Sequence, residues 1–230
     1  MQDYPLFWLA VLVILPLPLL WVAWRKINFI RWESNYQAGM KAFQRNEHAE
    51  AARYWSAALK IAEKLRGVHR LTKTLNELGT VYQVQERYDD AEHVHKLALE
   101  IREKFLGPDH YEVAQSLSNL GLVYTAQGKH RDAELAYKRA LVILEKVIGP
   151  GHPEFAFTLL NLALLYVDQK RHSEAEGHYK RAIAILENAL GTGNPQLAGV
   201  LASYADLLRE MGRQDEAEEM AVRSNAIINR

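Results

Sequence analysis

The chain contains no cysteine, which excludes disulfides, thiolate metal ligands and cysteine nucleophiles together. It also lacks net charge: 28 Lys and Arg balance 28 Asp and Glu, so no global field draws it toward nucleic acid or an anionic surface. It has no Asn-x-Ser/Thr sequon to accept an N-glycan. There is no phosphate-cradling loop, no HExxH and no GxSxG. His93 and His95 are two apart on a helical pattern and point different ways, so they do not share a metal. Paired carboxylates such as Asp89-Asp90 and Glu218-Glu219 are sequence neighbours that diverge on a helix. These absences argue for a non-enzymatic protein without cofactor or metal.

The composition is that of a folded domain: 49% hydrophobic and 24% charged residues over a length of 230. Pro5 to Trp24 form a run of twenty residues without a charge. As a helix it spans roughly 30 Å, the thickness of a bilayer's hydrocarbon core. Trp8 at one end and Trp21 and Trp24 at the other suit the two interfaces. Pro16 and Pro18 are expected to kink it.

A cleaved signal peptide is the alternative. However, only Asp3 precedes the run, and Trp21-Val22-Ala23 places a tryptophan where a small residue belongs. Arg25, Lys26 and Arg31 follow the run, so the positive-inside rule places the remainder in the cytoplasm. The expectation is a single-pass anchor in the inner or cell membrane, with residues 1–32 forming anchor and juxtamembrane segment. RKINFIRW, at 25–32, suits either a helix at the headgroup boundary or a direct continuation into the next element.

The remainder repeats. Ala91, Ala133, Ala175 and Ala217 are 42 apart, each followed by glutamate; Tyr82, Tyr124 and Tyr166 keep the same step. So do Leu78, Leu120 and Leu162, and Ala98, Ala140 and Ala182. Each unit carries two helical patterns. In the third, Leu117, Leu120, Gly121 and Tyr124 form one apolar face; Ala133, Tyr137, Ala140 and Leu141 form a second after Gln127-Gly128-Lys129. The small residues Gly121, Ala133 and Ala140 let two backbones approach while Tyr124 and Tyr137 fill the space around them. Gly107-Pro108, Gly149-Pro150 and the Gly191–Pro195 connector end one unit and start the next.

L-x-x-L-G-x-x-Y followed by A-x-x-x-Y-x-x-A resembles the tetratricopeptide repeat, with Leu75, Leu117 and Leu159 in place of its tryptophan. The 42-residue period and the connector Ile148-Gly149-Pro150-Gly151-His152-Pro153 resemble the subtype of kinesin light chains and many bacterial proteins. The resemblance implies an all-α fold: a right-handed superhelical α-solenoid of about five helix-turn-helix repeats over residues 33–230, behind one transmembrane helix. The units are expected near 33–67, 68–106, 107–148, 149–190 and 191–230. The last departs from the pattern at Leu208 and Ser224, as capping repeats do.

In such stacks the first helix of each unit lines a concave groove. Register from the Leu-Gly landmark assigns Gln115, Ser118, Asn119, Leu122 and Thr125 to it in the third unit. The fourth contributes Phe157, Leu160, Asn161, Leu164 and Asp168. The resemblance gives Asn119 and Asn161 the role of bonding an extended peptide's backbone, which an amide does by donating and accepting at once. Glu77 and Ser203 hold the equivalent position in the second and fifth units. Lys73 and Arg209 are the cations in reach of charged ligand residues, although their leading reading is that of a solvated helix face.

Lys138-Arg139 and Lys180-Arg181 imitate basic patches, but Glu92, Glu134 and Glu176 stand four residues before Lys96, Lys138 and Lys180 as ordinary helix-surface pairs. The partner expected is a protein or peptide, held beside a membrane. The alternatives are a self-associating, homo-oligomeric scaffold, or a secreted or periplasmic repeat protein if the first segment is cleaved.

Overall fold

The computed structural model describes residues 17–229, and among them every regular element is a helix. They are α1 (Leu17–Gln44), α2 (His48–Leu65), α3 (Val68–Val84), α4 (Tyr88–Leu106), α5 (Tyr111–Ala126), α6 (His130–Val147), α7 (Pro153–Asp168), α8 (His172–Leu190), α9 (Pro195–Glu210) and α10 (Gln214–Ile228). The chain divides into two units, residues 1–87 and 88–230.

In the first unit α1 runs unbroken for 28 residues, across the boundary expected near residue 32. The described part of the apolar segment therefore continues directly into the first repeat. The expected span 5–24 lies mostly outside the described residues, as do Trp8 and Pro16; Leu17–Trp24 is the exposed start of α1. No helix among the described residues is long and apolar enough to cross a membrane. The second half of α1 packs on α2, where Gly39 meets Trp55 so closely that a Cβ would lie 2.5 Å from the indole nitrogen. That nitrogen donates to the Tyr36 carbonyl (3.2 Å), and Trp32 Nε1 donates to Thr74 Oγ1 of α3 (3.1 Å). Both indoles are buried with their one polar atom satisfied, which burial requires.

The second unit stacks hairpins α5/α6, α7/α8 and α9/α10 behind α4. One continuous core of Leu159, Leu162, Tyr166, Tyr179, Leu186 and Leu201 runs through them. Each hairpin turn passes through the left-handed region at Gly128, Lys170 or Gly212. In each, the next amide turns back to the preceding helix: Lys129 to the Tyr124 carbonyl, Arg171 to Tyr166, Arg213 to Leu208 (2.8–2.9 Å).

The connector's histidines cap the next helix. His110 Nδ1 accepts from the Glu112 amide and His152 Nδ1 from Glu154, each at 3.2 Å; Asn194 Oδ1 does the same for Gln196 at 2.9 Å. Pro153 and Pro195 follow at the first helical position, where the missing N–H has no partner to lose.

The acid–base pairs at the helix surface form as expected and then extend between hairpins. Glu134 accepts from Lys138 (2.5 Å) one turn on, from Arg171 (2.8 Å) of the next unit and from the Tyr166 hydroxyl (3.1 Å). Glu92 is held likewise by Lys96 and Lys129, and Glu176 by Lys180 and Arg213. The last unit has Leu208 where tyrosine is expected. There Tyr204, one turn earlier, supplies the hydroxyl to Glu176 (3.3 Å).

Two core positions of α4 break the apolar rule. His95 and Arg102 of α4 stand where later repeats carry Tyr137 and Leu144, and both are buried (0% and 5% exposed). Arg102 bonds the Glu112 carbonyl (3.0 Å) and Ser116 Oγ (2.7 Å) of α5 and pairs with the Glu112 carboxylate at 3.1 Å. It is a strap from one repeat to the next. His95 has no hydrogen bond on either ring nitrogen among the described residues; burial, with Arg102 nearby, holds its imidazole down at about 4.

Candidate functional site

In the second unit the first helices α5, α7 and α9 lie side by side. The Tyr111 hydroxyl of α5 donates to the Glu154 carboxylate of α7, Gln115 Nε2 donates to that hydroxyl (3.2 Å), and Ser118 Oγ lies 3.4 Å from Thr158 Oγ1. Of the expected groove residues, Gln115 and Ser118 are thus tied into the joint between two first helices. Thr125 is spent on its own helix, donating to the Gly121 carbonyl at 2.8 Å. Asn119 is half-buried, and Leu122 on the same face is 42% exposed.

Between α7 and α9 the face opens into a depression of about 210 Å³. Phe157, Leu160, Asn161 and Leu164 line it from α7, and Val200 and Ser203 from α9, with Gly199 beside them and Tyr179 of α8 reaching in from behind. The expected Phe157, Leu160, Asn161 and Leu164 are therefore brought together with Ser203. Leu164 is 46% exposed, an apolar side chain held open to solvent. The Asn161 amide makes no hydrogen bond among the described residues. Tyr179 is nearly fully buried, and its hydroxyl is pushed up to about 12, by burial first and then by Asp206 and Asp168. It stays a neutral donor and acceptor at every physiological pH. The site has apolar walls and an uncharged polar lining, which fits an apolar side chain on a chain whose peptide units need hydrogen-bond partners.

Counting register from the sequence misses Tyr179, because it belongs to a second helix, and Gly199, which stands where Phe157 and Gln115 do in earlier units. A built Cβ on Gly199 meets nothing within 4 Å. The absent side chain is what leaves the depression open. The step of 42 from Phe157 is the signal that finds Gly199.

The remaining expected residues are engaged elsewhere. Arg209, at the end of α9, pairs with Asp206 at 2.5 Å. In the first unit the Lys73 ammonium sits 4.5 Å from the centre of the Tyr36 ring, and Glu77 accepts from the Tyr36 hydroxyl at 2.9 Å. Burial and this carboxylate push the Tyr36 hydroxyl well above its ordinary range. Lys73 and Glu77 thus form one cluster around a ring. Among the described residues no group of His, Asp and Glu is arranged to hold a metal.

Comparison with known proteins agrees with this architecture. No curated protein matches the chain. Among solved structures, BtubC (BKLC) of P. vanneervenii superposes with a TM-score of 0.74 at 24% identity, over 83% of this chain and 77% of that one. A kinesin light chain-like protein of Podosopora anserina with nearly identical TPR-like repeats gives 0.72 at 22%, over 86% and 94%. The Rap conjugation gene regulator of plasmid pLS20, solved with the Phr* peptide, gives 0.71 at 15%, over 88% of this chain and 54% of that chain. At these identities the likeness is one of fold. The family model of the tetratricopeptide repeat matches residues 70–146, 136–188 and 154–227, well over half of the sequence, and so the chain belongs to the tetratricopeptide-repeat family.

Proposed function

We propose that this protein is a membrane-tethered adaptor that binds an extended segment of another protein along α5, α7 and α9. The observation that carries the reading is the depression between α7 and α9, where exposed Leu164 stands beside the Asn161 amide. An unpaired amide beside an apolar hollow recognises a peptide unit of any sequence next to an apolar side chain. The fold supports this reading: tetratricopeptide repeats are typical of non-enzymatic protein-interaction modules, and the pLS20 Rap regulator is solved with a peptide. The tether is read from the charge-free run before Arg25, and the cytoplasmic side of a bacterial inner membrane from Arg25, Lys26 and Arg31 after it.

The test is capture of partners by full-length protein, wild type against Asn119→Ala with Asn161→Ala. Loss of the captured proteins, with an unchanged helical signal, is expected; an unaltered set sinks the groove reading. Protease protection of the repeats in spheroplasts tests the side of the membrane, and digestion from outside places them in the envelope.

A second reading is self-association through the end of the stack, favoured by Val222 and Ile228, which α10 leaves exposed. A molecular mass that does not change with concentration removes it.

A further inference from the structure

In the first unit, the exposed start of α1 and the end of α2 enclose a cleft of about 550 Å³. Trp21, Trp24 and Arg25 line it from α1, Lys64 and Leu65 from the end of α2, and Arg66 from the residue that caps it. No lining side chain is acidic. Among the described residues none of Arg25, Lys64 and Arg66 meets a carboxylate; Arg25 instead lies over the Trp21 ring at 4.8 Å. The carboxyl end of α2 contributes about half a negative charge through its backbone dipole, which three full positive charges outweigh. The cleft is a cationic box with two indole walls.

Its surroundings say what fills it. Trp21 and Trp24 are 56% and 43% exposed, and Leu17, Leu19, Val22 and Ile27 beside them are exposed as well. Residues 5–16, ahead of this face, are uncharged and apolar. Charge follows the same division. Residues 1–87 hold twelve Lys and Arg against seven Asp and Glu, a surplus of five; residues 88–230 hold sixteen against twenty-one, the same surplus in the opposite sign. A neutral chain is thus positive at the end that carries its exposed apolar helix.

Indoles settle at the headgroup level, and cations beside them meet lipid phosphate. We infer that this cleft is a binding site for the headgroup of an anionic phospholipid, held by Lys64, Arg66 and Arg25 between Trp21 and Trp24. The occupant is a lipid of the bilayer itself, so the first repeat grips the membrane surface rather than hanging from a tether. The inference rests on the membrane-bound reading above.

The test uses full-length protein with Trp8→Phe in phosphatidylcholine vesicles holding a minority of phosphatidylglycerol, with bromine on one lipid or the other to quench indole fluorescence. Trp32 and Trp55 are buried, so quenching reports Trp21 and Trp24. Phosphatidylglycerol is expected to be enriched at the indoles by about fivefold for each cation that faces it. Lys64→Gln with Arg66→Gln should return quenching to the bulk lipid ratio, and Lys64→Arg with Arg66→Lys should retain the enrichment. Equal quenching by both lipids overturns the site, as does enrichment that survives the two glutamines. Loss of enrichment on adding inorganic phosphate, but not chloride of equal ionic strength, assigns the cleft to a free anion and overturns the lipid. Failure of the protein to float with either vesicle overturns the membrane reading itself.

Discussion

Gly121 of α5 faces Tyr137 of α6 so closely that a Cβ on the glycine would lie 2.4 Å from the ring's Cε1. The contact sets how near the two helices of the third repeat come, and it has a cost if filled. Gly121→Ala is expected to destabilise the protein by about 1–3 kcal/mol, read as a lower urea midpoint at unchanged slope. The next repeat carries Ala163 and Tyr179 at the equivalent positions of the same core, so the pairing tolerates a methyl group and the lower end of that range is the better expectation. Gly121→Ala combined with Tyr137→Leu should cost less than the two changes separately.

Lys170 occupies the left-handed turn position that Gly128 and Gly212 occupy one repeat earlier and one later, with φ of 59° against 71° and 75°. A side chain there costs roughly 1 kcal/mol relative to glycine. Lys170→Gly should therefore raise the melting temperature slightly, offset in part by the loss of its ion pair with Glu210. Gly128→Ala should lower it. Opposite signs at equivalent turns are the expected result; a fall for Lys170→Gly would show that the lysine's contacts outweigh the strain.

The period of 42 residues makes the hairpins legible, because small residues and tyrosines recur on one helical face. The connector histidines are legible as well, since a residue before Pro153 or Tyr111 sits where a cap is needed. What the period does not show is exchange between positions. Tyr204 stands in for the tyrosine missing at 208, and buried Ser224 keeps its hydroxyl satisfied by donating to the Ala198 carbonyl (2.8 Å). The site is half legible for the same reason. Register identifies Phe157, Asn161 and Leu164, but Tyr179 arrives from another helix, and register alone does not reveal that Gln115 and Ser118 bond neighbours on their own face.

Glu134 joins three elements, accepting from Lys138, Arg171 and Tyr166, and the hydrogen bonds from Lys138 and Arg171 hold its carboxyl down at about 2. Glu92 is also held at about 2: burial works against ionisation, but the bonds from Lys129 and Lys96 prevail. A carboxylate depressed in the folded state stabilises fully above its unfolded value of about 4.5 and loses that contribution as pH falls toward 2. The melting temperature should therefore drop between pH 4.5 and 2, and less steeply in Glu134→Gln. At neutral pH that substitution should cost about 1 kcal/mol, since Arg171 keeps Glu174 at 2.5 Å as a second partner.

His95 makes a different pH window. Its imidazole is buried and held at about 4, against an ordinary 6.5. Below pH 6.5 the unfolded chain takes up a proton that the folded chain refuses until pH 4. Stability therefore falls across that interval, by at most about 1.4 kcal/mol per pH unit, and the loss levels off below it. His95→Tyr places there the residue that positions 137 and 179 carry, and should flatten the slope between pH 6.5 and 4.5 in urea titrations. His178, which burial and Arg181 also hold below the ordinary range, leaves a residual slope in that variant. Arg102→Leu removes the neighbouring cation but leaves the burial, so it should shift the window only part of the way. If the wild-type slope survives His95→Tyr undiminished, the pH dependence belongs to other groups and the buried imidazole is silent.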